Sequence, residues 1–481
     1  MLALACFAGL MLFFSPRWSI FAAWSRVPDM GFQVEVRRGV SVLWQMDHWG
    51  APPQDALHGA TQWRLLFPVL GKLLSLPPVV LFGLADAGCA LVLFYFIRLL
   101  RQRGHAWGPT AAAAIVFGAA SWYFASVCWL GYYDSWVVLG LLVVAFSRAR
   151  WLIAIACLLA PWVDERFVLG VPLALLCRQA ATADAWGAAG ARWKSAGAVA
   201  ASLSILFVVV RLGVLAGSSG QLAKPSSYLQ WLSSADSTWS QRFSGIWEGW
   251  RIGWVLAGAA LWPFAKSGGG RALVGGAIGL TLVVGLATAQ DFSRSMMFLA
   301  PAVAWGAMRL LEAAPRWTTK GWPVMAGAAL LLPAHLVMSD ASLPVMSFGH
   351  EWAGLRNPPP AVMPELYELR GIQAMERGDY ARAEFQLTLA IKLATNPATA
   401  SKHRGLLYAG AQRWKDALEE FQRMVEYSPN DPDAWLLQAQ AKAALSDAEG
   451  ARADLQQALK VAPKDWEKRP DVVRFKTRLG L

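Results

Sequence analysis

Charge is scarce in this chain: only 16% of its 481 residues are Asp, Glu, Lys or Arg, while 56% are hydrophobic. An ordinary soluble domain, with roughly a quarter of its residues charged, is therefore excluded. Cysteine is also sparse. Cys6, Cys89, Cys128, Cys157 and Cys177 lie in or beside apolar segments with no CxxC spacing, which argues against a disulfide framework or a zinc site. The histidines number six, and His48, His58 and His350 lack the spacing of metal ligands. GxGxxG, P-loop and HExxH patterns are missing. No basic stretch precedes the first apolar run, so a cleaved signal peptide is not expected.

What the chain does have is apolar length. Spans are expected near residues 2–24, 79–97, 108–130, 135–147, 151–162, 167–177, 195–217, 250–265, 272–289, 296–313 and 322–338, several of them shorter than the roughly 20 residues of a straight crossing. Arg17 interrupts the first. A single span over 151–177 would bury Asp164, Glu165 and Arg166 mid-membrane, at about 2.5–3.5 kcal/mol for each charge. A hairpin turning at these residues avoids that. It also gathers Arg98, Arg101, Arg103, Arg148, Arg150, Arg178, Arg192, Lys194, Lys266, Arg271, Arg316 and Lys320 on one face, which the positive-inside rule makes cytoplasmic. Arg26, Arg37, Arg38 and Arg64, in a long first loop, run against the bias.

Residues 1–363 carry 26 Lys and Arg against 15 Asp and Glu, while 364–481 carry 18 against 17. Of the net +12, all but one charge thus belongs to the apolar part and is a topology signal, not a nucleic-acid footprint. Many of the 26 tryptophans sit at segment ends, where they can form an aromatic belt or stack on sugar rings.

From Pro364 a 34-residue period appears. Gly371, Gly405 and Ala439 share one position; Ala383, Ala417 and Ala451 a second; Leu387, Phe421 and Leu455 a third; Ala390, Met424 and Ala458 a fourth; Pro429 and Pro463 also recur. This resembles the tetratricopeptide repeat (TPR), three copies over 364–465, which implies stacked helix pairs with a concave groove. Residues 466–481 read as a capping helix and 341–363, with Asn357-Pro358-Pro359-Pro360, as a proline-rich linker. The expected fold is all-α: a transmembrane bundle of about 11 spans over 1–340, then an α-solenoid.

The carboxylates of the apolar part fall at segment ends on one face: Asp29, Asp134, Asp164-Glu165-Arg166 and Asp291 with Arg294. With Gly131-Tyr-Tyr-Asp134, Trp63-Arg64-Leu-Leu-Phe-Pro68 and Asp291-Phe-Ser-Arg294, these stretches resemble the polytopic C-type (GT-C) glycosyltransferases. The resemblance implies a lipid-linked sugar donor on a polyprenyl phosphate and an acceptor deprotonated at the external face of a bacterial inner membrane. It makes Asp29 the base, with Glu35 and Asp47 as rivals and Asp134 as a further catalytic acid. Arg64, Arg166 and Arg294 would hold the donor phosphate, Asp164 and Glu165 a divalent metal ion, and Asp291 is an additional acid of the site. Inverting transfer needs such a base and such cations, and adjacent acids can face one way at a helical break.

Duller roles stand beside these. Asp134 can be an N-cap for a helix starting at Ser135, Asp164 and Arg166 can satisfy a hairpin turn, and Asp291 with Arg294 can be a local ion pair. At the level of function the alternatives are a non-catalytic envelope scaffold and an O-antigen ligase or polymerase. In each, the TPR groove takes a protein or glycan partner, and nucleic acid is not expected.

Overall fold

The computed structural model describes residues 1–26, 34–48, 63–185, 190–217, 239–260, 275–276, 278–280, 292–313, 317–336, 341–356, 364–376 and 378–480. Asp29, Asp291 and the triproline segment lie outside the described residues. Two compact units form: Met1–Phe21 with Gly31–Ala353, and Ala22–Met30 with Gly354–Leu481.

The first unit is mainly helical, and its second and last helices each run a few residues past its bounds. Its helices are α1 (Leu2–Phe13), α2 (Trp18–Arg26), α3 (Val34–Asp47), α4 (Leu66–Leu73), α5 (Pro78–Gln102), α6 (Trp107–Gly118), α7 (Ser121–Cys128), α8 (Asp134–Phe146), α9 (Arg150–Leu159), α10 (Phe167–Ala185) and α11 (Gly190–Gly217). After these come α12 (Trp239–Trp250), α13 (Trp254–Ala259), α14 (Phe292–Ser295), α15 (Ala300–Ala313), α16 (Trp317–Leu331) and α17 (Ser347–Arg356).

Among the described residues, two helical stretches, Pro78–Gln102 and Phe292–Ala313, are long and apolar enough to cross a membrane. The pair α6 and α7, bent by 67°, makes a third if it is one span. The bend lies at Ala119–Ala120, where the indole of Trp122 donates to the Phe117 carbonyl at 3.1 Å, satisfying a group that the break frees.

Three expectations change in this unit. The apolar stretch 2–24 is two helices, broken where Arg17 faces Glu351 at 3.3 Å and Glu35 at 3.7 Å. The expected span 322–338 ends early: α16 stops at Leu331, and Ala334–Leu336 pairs antiparallel with Ala341–Leu343, with His335 opposite Ser342. Within the expected linker 341–363, the described residues form that strand and α17.

The hairpin expected around Asp164 forms. Leu141 packs on Gly170, and the Arg178 guanidinium donates to the carbonyls of Val144 and Ser147 at 3.0 and 2.8 Å, so α8 and α10 run side by side in the same direction. Helix α9, which joins them in the chain, must therefore run back the opposite way. The polar contacts that lock α8 to α5 are Ser135 to the Ala85 carbonyl (3.0 Å) and the Trp136 indole to the Leu84 carbonyl (2.7 Å).

Among the described residues of the second unit, three helical hairpins follow one another: Pro364–Glu376 with Tyr380–Leu393, Ala398–Gly410 with Trp414–Tyr427, and Pro432–Ala444 with Ala448–Val461. Corresponding helices start 34 residues apart. A Cβ at Gly405 would stand 2.4 Å from the Phe421 ring, and one at Gly371 2.7 Å from Leu387, so the small residues sit where the two helices of a hairpin touch. The link between them turns left-handed at Gly378 (φ 75°), Gln412 (φ 60°) and Ser446 (φ 68°). Asp379 and Asp447 then cap the following helices, and Arg413 takes that place in the middle hairpin. Helix Pro470–Leu479 closes the stack by burying Val472, Phe475 and Leu479 with Leu436, Ala439 and Leu455.

Candidate active site

Five segments bring the charged residues of the first unit together. Asp134 begins α8, Arg294 lies in α14 at the start of the apolar stretch Phe292–Ala313, and Asp164, Glu165 and Arg166 occupy the break before α10. Arg64 precedes α4 and Arg38 lies on α3. Because α8, α10 and the Phe292–Ala313 stretch all begin here, their N-terminal ends add positive potential to the cluster.

The main contact is between residues 160 apart. Arg294 grips Asp134 with two bonds, Nε to Oδ2 at 2.6 Å and Nη2 to Oδ1 at 2.5 Å, and its guanidinium lies 4.2 Å over the Tyr132 ring. Asp134 is therefore not an N-cap: it is the first residue of α8, and its carboxylate is taken by Arg294. Asp291 lies outside the described residues, so the local Asp291–Arg294 pair does too.

The second contact is a fork. Arg166 binds both oxygens of Asp164, at 2.9 and 2.8 Å, its backbone N–H adds a third bond at 3.0 Å, and its Nη1 reaches the Ser295 hydroxyl at 3.2 Å. Arg64 stands 3.0 Å from Asp164 and 3.4 Å from Glu165, so the two adjacent acids do face one way at a helical break. Burial alone would raise the Asp164 carboxyl, but Arg166, Arg64 and Arg294 outweigh it and hold the group well below the usual carboxylate range. That influence of Arg294 on Asp164 makes the two ion-pair sets one electrostatic unit.

Arg38 and Ser295 complete the wall, and sequence reasoning did not single out either. Arg38 is buried, donates to Gln45 at 2.8 Å and to the Arg64 carbonyl at 3.2 Å. Burial and then the charge of Arg64 pull it down to about 9, which leaves it a cation at neutral pH. Its backbone fits against the loop because Gly131 has φ 78° and no side chain: a Cβ there would stand 2.9 Å from Arg38. The neighbouring Leu130 N–H donates to the Glu35 carbonyl at 2.6 Å. The signal for Arg38 was its place in a loop expected outside, against the charge bias.

Of the other candidates, Glu35 is buried beside Arg17, and Asp47 is exposed and held by Lys72 at 2.5 Å. A divalent ion does not fit Asp164 and Glu165 as they stand, since arginine nitrogens occupy the Asp164 oxygens. Among the described residues no three His, Cys, Asp or Glu side chains form a metal set. The named cluster presents four guanidinium groups and three carboxylates, all buried or nearly so, a balance suited to holding an anion while the carboxylates keep the cations apart.

No protein-family model matches the sequence, and no curated protein matches it significantly.

Proposed function

We propose that the chain is a membrane glycosyltransferase of the GT-C type that transfers a sugar from a polyprenyl-phosphate donor to an envelope acceptor. The observation that carries this is the convergence of Arg64, Arg166 and Arg294 with Asp134, Asp164 and Glu165 at one end of the bundle. A donor phosphate would exchange with carboxylate partners at these guanidinium groups, which then offset charge growing on the leaving phosphate. Both Asp134 and Asp164 are engaged by arginine, so the base is Asp29, five residues before α3, with Glu35 next in line. The three hairpins act as TPRs that recruit acceptor or partner, on the external side of a bacterial inner membrane.

One observation favours the scaffold reading: every oxygen of Asp134 and Asp164 is bonded, as in a purely structural ion-pair core. The two readings part on donor binding. Asp29→Asn should lower turnover about a hundred- to ten-thousand-fold with donor binding retained, whereas Arg294→Ala should weaken donor binding. A chain that binds no polyprenyl-phosphate sugar in a titration would be a scaffold.

A further inference from the structure

A second charged region lies at the other end of α8. There the ends of α5, α8 and α15, the start of α9 and the Arg178 turn of α10 line an open cavity of about 660 Å³, with Arg98, Arg103, Arg148 and Arg178 on its wall and Glu312 as a carboxylate. Helix C-terminal ends favour cations, and this explains Arg178, which is buried and caps the α8 carbonyls. Glu312 is bound by Arg103 at 2.6 Å and Arg309 at 3.0 Å. Neither effect explains an open cavity with Arg98 and Arg148 exposed on its rim, nor the apolar Leu99, Leu152 and Met308 that line it further.

Helix α5 carries the second observation. Leu91 and Phe94 are 42% and 54% exposed, and at seven and four residues before Arg98 they share its helix face. An outward apolar stripe thus ends in a guanidinium at the mouth of a cationic cavity, the pattern that an acyl chain and its phosphate would follow.

We propose that this cavity holds the phosphate of an anionic phospholipid, with the acyl chains along the Leu91 and Phe94 stripe. The site is separate from the candidate active site and does not depend on the transferase reading. A free phosphate has the same headgroup chemistry but no use for the stripe.

The full chain, purified in detergent and equilibrated with equal mole fractions of phosphatidylglycerol and phosphatidylcholine, is assayed for retained lipid by native mass spectrometry. Phosphatidylglycerol should be retained preferentially. The double variant Arg98→Gln/Arg148→Gln should reduce that preference about tenfold or more, while Lys402→Gln/Lys415→Gln in the hairpin unit should not. Both cavity residues are exposed, so the variant should fold; if it does not, each single substitution should show part of the loss. Equal retention of the two lipids, or preference unchanged in the cavity variants, would overturn the proposal. So would displacement of the lipid by millimolar inorganic phosphate, which would assign the cavity to a soluble anion.

Discussion

Asp134 and Arg294 have no cheap way to exist apart. Both are buried and bonded twice to each other, so Arg294→Ala should cost about 3–5 kcal/mol by leaving a carboxylate without its cation. Thermal unfolding in detergent should show that loss, and Asp134→Asn with Arg294→Gln should cost less than the two single changes added. Asp164 gives a pH test. Its ionisation in the folded chain lies well below the unfolded value near 3.9. The stability it contributes is therefore complete above about pH 4 and falls away as pH drops below that. Asp164→Asn should be less stable than the parent at pH 7, and the difference should begin to shrink below pH 4 yet be only partly lost at pH 3, measured by denaturant titration. Much of this site was legible from residue type and position. The cost of charge in an apolar chain drove Asp134, Asp164, Arg166 and Arg294 to segment ends, and the segment count put them on one face. Pairing was not legible, because Arg294 could choose a neighbour three residues away or a partner across the bundle, and only packing decides. Arg38 was misjudged for a related reason: a basic residue in a loop counts for topology only if water reaches it.

Helices of the second unit were readable because one period fixes both partners of each contact. Small residues at 371, 405 and 439 oppose large ones sixteen positions later, so Gly405→Ala should force the Phe421 ring aside and cost about 1–3 kcal/mol. The hairpin turns were hidden, since only the first shows its left-handed residue as glycine. Gln412 and Ser446 adopt φ of 60° and 68° without that help. Gln412→Gly and Ser446→Gly should each stabilise the unit by roughly 0.5–1 kcal/mol, relief of the left-handed strain exceeding the added chain entropy. A shift in denaturation midpoint of residues 364–481 checks both, and a loss of stability would mean that the turns are not strained. In the first unit, apolar length alone located α8, expected at 135–147 and observed at Asp134–Phe146, whereas the break between α1 and α2 depends on Arg17 finding Glu351.

At the scale of the molecule, the two units have separate cores. The apolar core of the first is built from residues 3 to 343, while the clusters of the second begin at Tyr367 and end at Leu479. Each hairpin buries its neighbour's face and the last is closed by its own helix, so the stack needs no apolar surface from the bundle. Removal of residues 364–481 should therefore leave the remaining chain folded and monodisperse in detergent, with its far-ultraviolet helical signal reduced by the share of the deleted helices. Under the proposed function the truncated protein should bind polyprenyl-phosphate sugar as the full chain does but fail to retain an acceptor or partner in a detergent pull-down. Ala417→Asp, which puts a charge at a fully buried position of the stack, should unfold the unit and reproduce the truncation in the intact chain. Lost donor binding in a truncated protein that is still folded would place part of the donor site in the hairpins, and the division into a transferring bundle and a recruiting stack would have to be abandoned.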